Sequence, residues 1–301
     1  MSLRILNIPK PLLLAPMGFV SGGALAAAVS AAGGLGLLGA GYGDAAWIRE
    51  QFRLAGPARA GIGFITWSLA RQPQLLDVAL EHKPAAVMLS FGDPRPYAEK
   101  IRRSGAKLVL QVQDVETTRE ALAAKPDVLV AQGTEAGGHG GQRSLFALLP
   151  AVKALAGKIP VLAAGGIVDA AGFEAARALG ADGVLVGTRF IAADEALAAP
   201  QAKQRLVQAQ GDATLRTTVF DIVRGYDWPA HITGRALRNR FSDSWHGKED
   251  LLKNRLSEER SRYQIAAEKR DYDTAVLFAG EAVDRIDSVL PARAIVERIC
   301  R

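Results

Sequence analysis

Residues 161–190 read VLAAGGIVDAAGFEAARALGADGVLVGTRF, which is two short apolar runs separated by a stretch of helical composition. With the preceding proline, the first run is PVLAAG at 160–165, and the second is GVLVGT at 183–188. Both runs are apolar throughout instead of alternating, as parallel strands are when helices cover both faces of the sheet. The intervening AAGFEAARALG predicts the connecting helix. This segment therefore predicts a strand–helix–strand unit with parallel strands.

The same unit repeats through the preceding chain. Stretches of helical composition, such as PQLLDVALEHK and VETTREALAAK, separate further apolar runs at residues 12–17, 35–40, 60–65, 85–90, 107–112 and 127–132. Eight units favour an α/β fold whose strands close into a (β/α)8 TIM barrel. The alternative is an open doubly wound sheet, which usually has fewer strands and places its glycine fingerprint after the first one.

The uncharged segment 11–43 is long enough to cross a bilayer as one helix. Pro16 and the glycine pairs at 22–23 and 33–34 instead divide it into a strand, an alanine-rich helix and a second strand. We therefore expect no membrane span. Cys300 is the only cysteine, which excludes an intrachain disulfide and a cysteine-based metal cluster and fits a reducing, cytoplasmic setting. We expect no metal site.

The net charge of +6 comes from dispersed residues, without the long Lys/Arg run that would indicate nucleic-acid binding. Charge density nearly doubles after residue 210. We therefore predict a barrel over residues 1–210 and a charged, mainly helical extension over residues 211–301. Segment 224–247 is rich in aromatic residues and arginine, which is typical either of nucleic-acid stacking or of a lid over the barrel mouth. Its balanced charges favour the lid.

The loops after the seventh and eighth strands predict a phosphate site. In a (β/α)8 barrel the active site lies at the carboxyl ends of the strands, and phosphate commonly binds at these two loops. They read AAGGI at 163–167 and LVGTRF at 185–190. Glycine allows backbone N–H groups to face phosphate oxygens, and the hydroxyl of Thr188 adds a donor. Taken singly, each glycine is better explained by a tight turn, but their joint position favours phosphate.

The segment AQGTEAGGHGG at 131–141 follows the sixth strand, at the same end of the barrel. Its glycines would allow a flat ligand to lie against the backbone, with the imidazole of His139 pointing towards it. Histidine titrates near neutral pH, so His139 is a candidate catalytic base. The alternative is a helix cap or a hydrogen-bonding role within a loop. Glu135 is the other titratable group here, either orienting the loop or a ring, or serving as a cap.

Four segments together resemble the nitronate monooxygenase family of flavin enzymes, formerly called 2-nitropropane dioxygenases. They are LAPMGFVSGGALAAAVSAAGGLGLLG at 14–39, VLVAQGTEAGGHGG at 128–141, the stretch at 161–190 and FAGEAVDRIDSVLPARAIVERI at 278–299. The motif GTEAGGH within a barrel is specific to a small superfamily, which also contains the FMN-dependent enoyl-acyl carrier protein reductases. The resemblance spans most of the predicted barrel and reaches the C-terminal residues.

The resemblance implies an FMN site and assigns His139 as the catalytic base. The residues that would contact FMN lie in the turn after the first strand, in two glutamines, in the glycine segment and in the phosphate loops: Ala15, Pro16, Met17, Gln111, Gln132, Gly137, Gly138, Gly165, Gly166, Val186, Gly187 and Thr188. Gly63 stands where the family pattern has an asparagine in the third strand. The hydrogen bond from that asparagine to the flavin ring is therefore not expected.

The implied reaction is oxidation of an alkyl nitronate, with FMN and O2, to a carbonyl compound and nitrite. A small nitronate or nitroalkane and O2 would then be the partners, with no nucleic acid or membrane involved, and the chain could assemble with copies of itself. Two alternatives stay open. One is an FMN-dependent enoyl-thioester reductase that uses NADH or NADPH, and the other is a flavin-free barrel that binds a phosphate compound.

Overall fold

The computed structural model describes residues 3–301, which contain eleven strands and fifteen α-helices. The strands are β1 (Leu12–Leu14), β2 (Gly36–Gly39), β3 (Ala60–Ile65), β4 (Ala86–Ser90), β5 (Lys107–Val112), β6 (Val128–Gln132), β7 (Gly138–Gly140), β8 (Val161–Ala164), β9 (Gly183–Val186), β10 (Thr214–Thr217) and β11 (Thr233–Leu237). The helices are α1 (Gly23–Ala31), α2 (Ala45–Ala55), α3 (Thr66–Leu69), α4 (Gln74–Glu81), α5 (Arg95–Arg103), α6 (Val115–Ala123), α7 (Leu145–Ala156), α8 (Ala170–Ala178), α9 (Thr188–Ile191), α10 (Pro200–Val207), α11 (Val219–Arg224), α12 (Arg240–Trp245), α13 (Glu249–Asn254), α14 (Leu256–Glu268) and α15 (Ala292–Ile299).

Eight of the strands are parallel and form the barrel. Their order around it is β1-β9-β8-β6-β5-β4-β3-β2. A parallel bridge between Leu13 and Leu35 joins β1 to the start of β2 and closes the ring. It is held by two 3.0 Å hydrogen bonds, from Leu14 N to Leu35 O and from Leu35 N to Leu12 O. Each of the eight apolar runs contains one of these strands, so the predicted α/β barrel is confirmed.

The strand side chains point alternately into the barrel and towards the helices. Leu13, Val130 and Leu185 belong to the apolar core inside the barrel, and Leu6 packs into the same core from the chain before β1. A larger core lies between the strands and the surrounding helices. Because both faces of each strand are buried, the strands are apolar throughout, which is the pattern that identified them.

The uncharged segment forms β1, α1 and β2, as its glycine pairs predict. Gly23 lets α1 pack closely on α2, because a Cβ on this residue would lie 2.2 Å from the carbonyl oxygen of Gln51. Among residues 3–301, no helix combines the length and the apolar character that a membrane crossing requires.

The last helix returns to the barrel. α15 packs against α1, α8 and α9, and its buried side chains join the core between the strands and the helices. Residues 292–299 therefore contribute to the helical layer of the barrel. Residues 211–291, between the barrel's last strands and α15, hold two strands and several short helices. A domain boundary at residue 210 stays a prediction, and so does a lid function for the segment that follows.

The glycine segment expected as a loop contributes a strand to a second, smaller sheet. β7 (Gly138–Gly140) pairs antiparallel with β11, which pairs antiparallel with β10. The register places His139 opposite Gly234. Glycine is a poor strand former, so the strand depends on its partner from the chain after residue 210. This pairing fixes the direction of the His139 side chain.

Two arginines bind the glycine segment, residues 131–141, from the face of this sheet opposite to His139. Arg216 on β10 donates hydrogen bonds to the carbonyl oxygens of Thr134, Gly140 and Thr233 at 2.7 to 3.2 Å. Arg235 on β11 donates to the Thr134 carbonyl oxygen at 2.9 Å. Burial, with repulsion from Arg235, lowers the pKa of Arg216 to about 10, so Arg216 remains charged at neutral pH. Charged donors form stronger hydrogen bonds than neutral ones, which favours this arrangement of the segment.

Replacing Arg216 by methionine should loosen the glycine segment. We expect Arg216→Met to lower the free energy of unfolding by on the order of 3 kcal/mol, since three carbonyl groups, one buried and two partly buried, lose a charged donor. Urea unfolding followed by circular dichroism measures the change. Arg103→Met is the control, because that side chain is 75% exposed and should change stability by less than about 0.5 kcal/mol. Equal effects of the two substitutions would contradict the role of Arg216.

Candidate active site

A cavity of about 570 Å³ lies at the carboxyl ends of the barrel strands. This is the end at which (β/α)8 barrels carry their active sites. Twelve of the thirteen residues that the sequence singled out line it: Ala15, Pro16, Met17, Gln111, Gln132, Gly137, Gly138, His139, Gly165, Gly166, Gly187 and Thr188. The fold thus brings positions that are far apart in the sequence to one place.

Val186 is the exception. Its side chain is buried in the core between the strands and the helices, because alternation along β9 turns it away from the barrel axis. Its carbonyl oxygen accepts a 2.8 Å hydrogen bond from Ala15 N, which joins the ends of β9 and β1. Val186 therefore supports the floor of the cavity without lining it.

The turn after β1 is held by one buried side chain. Ser21 donates a hydrogen bond from Oγ to the carbonyl oxygen of Ala15 at 2.8 Å, and the same Oγ accepts one from Met17 N at 3.2 Å. These bonds curl residues 15–17 over the strand end. As a result Ala15, Pro16 and Met17 form one wall of the cavity.

The loops after β8 and β9 form one end of the cavity. Gly165 and Gly166 have left-handed backbones, with φ of +111° and +70°, which glycine adopts without strain. Thr188 lies beside them, and its Oγ accepts a 3.0 Å hydrogen bond from Gly280 N. That bond uses an oxygen lone pair, so the hydroxyl proton is left for another acceptor. Gly280 also lines the cavity, and the sequence reasoning did not select it.

The two glutamines belong to a hydrogen-bonded chain that ends at the histidine. Gln111 and Gln113 each donate from Nε2 to Oε1 of Gln132 at 3.1 Å. Gln132 in turn donates from Nε2 to the carbonyl oxygen of His139 at 2.9 Å. The end of β6 is therefore tied to the backbone of β7, and this linkage places the histidine over the barrel.

The ring of His139 is held by a carboxylate that the sequence reasoning missed. Its Nε2 lies 2.9 and 3.0 Å from the two carboxylate oxygens of Asp221 on α11. Both side chains are almost completely buried, at 9% and 5% exposed. Gly234, opposite His139 on β11, makes room for the Phe278 ring, because a Cβ there would lie 2.9 Å from that ring.

Aromatic side chains surround the imidazole. The indole of Trp228 stacks on His139, with ring centroids 3.6 Å apart and planes within 5°. Trp228 donates from Nε1 to the hydroxyl of Tyr42 at 3.1 Å, and Tyr42 stacks on Tyr226 at 3.6 Å. Burial raises the pKa of Tyr42 to about 12, so its phenol keeps its proton at physiological pH. These rings form an apolar wall beside the histidine.

Glu135 has the capping role that was one of its two predicted alternatives. Its carboxylate oxygens accept hydrogen bonds from Leu145 N at 3.0 Å, at the first residue of α7. Ser144, the residue before this helix, makes no capping bond with its own side chain. A carboxylate here satisfies a free helix N–H and interacts favourably with the helix dipole.

At two positions that line the cavity, close packing against other protein atoms requires glycine, whether or not a ligand is bound. A Cβ on Gly63 would lie 2.3 Å from Cγ of Pro16, so the ring of Pro16 occupies the space that a side chain on the third strand would need. A Cβ on Gly137 would lie 2.7 Å from the backbone at Ala279 and Gly280. An asparagine at position 63 therefore does not fit this backbone.

The arrangement can carry out proton transfer in a site shielded from water. A buried imidazole beside a carboxylate can take up a proton, because the carboxylate stabilises the imidazolium that forms. Among residues 3–301 there is no group of three or more His, Cys, Asp or Glu side chains that could hold a metal ion. The His139–Asp221 pair can itself supply acid–base and electrostatic chemistry.

Comparison with known proteins gives the family of the chain. The nitronate monooxygenase family model matches residues 1–56 and 65–301. The unmatched residues, 57–64, include most of β3 and the departure at Gly63. The chain is 38% identical over 273 residues to nitronate monooxygenase npaC of Metarhizium robertsii, a match that covers 80% of this chain and 75% of that protein.

Two solved structures have the same fold over nearly the whole chain. FabK from Thermotoga maritima is similar with a TM-score of 0.84 and 29% identity, over 98% of this chain and 93% of that chain. A nitroalkane oxidase from Streptomyces ansochromogenes is similar with a TM-score of 0.81 and 29% identity, over 99% of this chain and 96% of that chain. Together with the match of the family model to almost every residue, these findings establish that the chain belongs to the nitronate monooxygenase family and is an oxidoreductase.

Proposed function

We propose that this enzyme oxidises alkyl nitronates, with FMN and O2, to a carbonyl compound and nitrite. The observation that carries the proposal is the buried His139, bonded to Asp221 in the cavity at the carboxyl ends of the strands. Membership of the nitronate monooxygenase family supports the same class of reaction.

The residues of the cavity fit FMN. Its volume falls within the range of about 300–1,000 Å³ that is usual for ligand and cofactor sites. The left-handed turn at Gly165 and Gly166 and the hydroxyl of Thr188 would hold the phosphate. The turn at residues 15–17 and the amide of Gln111 would lie beside the flavin ring. When bound, FMN would supply the two-electron redox chemistry.

The protein's own contribution is to bind the substrate and to control one proton. With a neutral nitroalkane, the unprotonated imidazole of His139 would remove the α-proton, and Asp221 would stabilise the resulting imidazolium. With an anionic nitronate, the protonated imidazole would stabilise the negative charge. The wall formed by Trp228 and Tyr42 excludes water next to the imidazole, and its apolar character supports a small alkyl substrate.

A stopped-flow experiment without oxygen tests the reaction directly. We expect propyl-1-nitronate to bleach the visible flavin absorbance of the FMN-loaded protein, and NADPH to bleach it far more slowly. Rapid bleaching by NADPH alone would favour the enoyl-thioester reductase, and a protein that binds no FMN would favour the flavin-free barrel. In His139→Ala, kcat/KM for a neutral nitroalkane should fall by about 10²- to 10⁴-fold, the usual contribution of a general base.

The two kinds of substrate should show opposite pH dependence. Nitroalkane oxidation should rise with pH as the imidazole loses its proton, whereas nitronate oxidation should fall, because each reaction uses a different protonation state of His139. Steady-state rates between about pH 5 and 9 measure this, with His139→Asn as the control that removes both dependences. Identical profiles for the wild type and this variant would sink the assignment of His139.

The phosphate loop is tested by a pair of glycine substitutions. Gly166 and Gly157 both have a positive φ, of +70° and +58°, which alanine rarely adopts, so the substitution strains the backbone at both positions. Only Gly166 lines the cavity, whereas Gly157 is exposed at the end of α7. We expect Gly166→Ala to raise the Kd for FMN at least about tenfold, and Gly157→Ala to leave it unchanged. Similar Kd values for the two variants would argue against a phosphate site here.

A further inference from the structure

We propose that Asp221 is the positioning residue of His139: it keeps the imidazole proton on Nε2 and so makes Nδ1 the atom that exchanges a proton with substrate. This inference rests on the proposed function for the identity of the substrate. It concerns a carboxylate on α11, 82 residues after the histidine in the chain.

The contact determines which ring nitrogen carries the proton. An ionised carboxylate can only accept hydrogen bonds, and both oxygens of Asp221 lie within 3.0 Å of Nε2. The neutral imidazole must therefore carry its hydrogen on Nε2, which leaves the basic lone pair on Nδ1. Among the described residues, only Nε2 of this ring has a hydrogen-bond partner. Nδ1 is thus available to a ligand in the cavity.

The surroundings prevent the ring from turning away. Trp228 covers one face of the imidazole at 3.6 Å, and the ring of Phe278 lies 5.3 Å away. The backbone of His139 is fixed by its pairing with β11 and by the bond from Gln132. A ring held in this way has one tautomer and one orientation, which is the condition for efficient proton transfer.

The charged groups around His139 and Asp221 determine how the net charge of the site changes when the imidazole is protonated. Arg224, on the same helix, has Nη1 3.9 Å from Oδ1 of Asp221, and its guanidinium lies over the ring of Tyr226 at 4.6 Å. The hydroxyls of Tyr42, Tyr226 and Tyr263 also lie near Asp221 and Arg224. Arg260 on α14 adds a positive charge against the same helix, where it donates a 3.0 Å hydrogen bond to the carbonyl oxygen of Val223. His139, Asp221 and Arg224 together are neutral when the imidazole is neutral, and they carry one positive charge when it is protonated.

The charge of Asp221 can be removed without changing its shape by the substitution Asp221→Asn. The amide can accept a hydrogen bond from Nε2–H or donate one to unprotonated Nε2, so both tautomers of His139 should be populated. We expect kcat/KM for a neutral nitroalkane to fall by about 10²-fold or more. We also expect its rise with pH to move to lower pH, because the imidazolium loses a neighbouring negative charge.

Two further variants separate positioning from stability. Asp221→Glu keeps the charge and should recover part of the rate and the original pH profile. Asp227→Asn removes a carboxylate that is 90% exposed on the same segment, and it should change neither quantity. FMN content and thermal unfolding of all variants are measured in parallel. If the loss of rate in Asp221→Asn follows a loss of folded protein with an unchanged pH profile, Asp221 is structural and the proposal fails.

A direct readout does not depend on turnover. The chain has four histidines, so the FMN-loaded protein labelled with ¹⁵N-histidine gives few ring signals, and His139→Gln identifies those of residue 139. We expect the Nε2–H tautomer in the wild type and a mixture in Asp221→Asn. An Nδ1–H tautomer in the wild type, or no change in the variant, would overturn the proposal. If nitronates are not oxidised but the tautomer is fixed as expected, the proposed function fails and the role of Asp221 stands.

Discussion

The pairing of Gly138–Gly140 with Thr233–Leu237 is the constraint on which the site depends. The glycine segment has almost no side chains to bury, so it cannot find its position by packing. Backbone hydrogen bonds to β11 and the guanidinium donors of Arg216 and Arg235 supply that position instead. Because side chains alternate across a strand, the register with Gly234 decides that His139 faces Asp221.

The barrel and the chain after residue 210 form a single working unit around this pairing. The barrel supplies the turn at residues 15–17, the glutamines and the phosphate loops. The later chain supplies Asp221, Trp228 and Gly280, and then returns in α15 to complete the helical layer. Many charged residues of 211–301 form ion pairs, whereas Asp221 and Gly280 are buried and Trp228 is half-buried.

The glycines of the site show that one residue type serves several physical purposes. Gly165 and Gly166 allow the positive φ angles of a turn that can face a phosphate. At Gly63 the ring of Pro16 leaves no space for a side chain. At Gly137 the backbone of Ala279 and Gly280 leaves none. A glycine in such a site can therefore have either of two purposes: it can form part of a turn that faces the ligand, or it can allow two segments of the protein to approach closely.

The amino-acid pattern alone predicts the barrel, because a strand buried on both faces must be apolar throughout, and eight such runs separated by helical stretches specify the order of the elements. It also determined which strand ends carry glycine loops, and so placed His139, Gly166 and Thr188 at one end of the fold. It also selected Val186, whose side chain faces the helices because side chains alternate along β9, so the contact of Val186 with FMN stays a prediction. The partner of His139 depends on the tertiary structure, since Asp221 and Trp228 lie more than 80 residues further along the chain. The composition of segment 224–247 predicted a lid there, but it indicated no contact for Trp228 and did not include Asp221. Local patterns encode helices and strands, whereas a contact between distant segments is set by the packing of the whole chain.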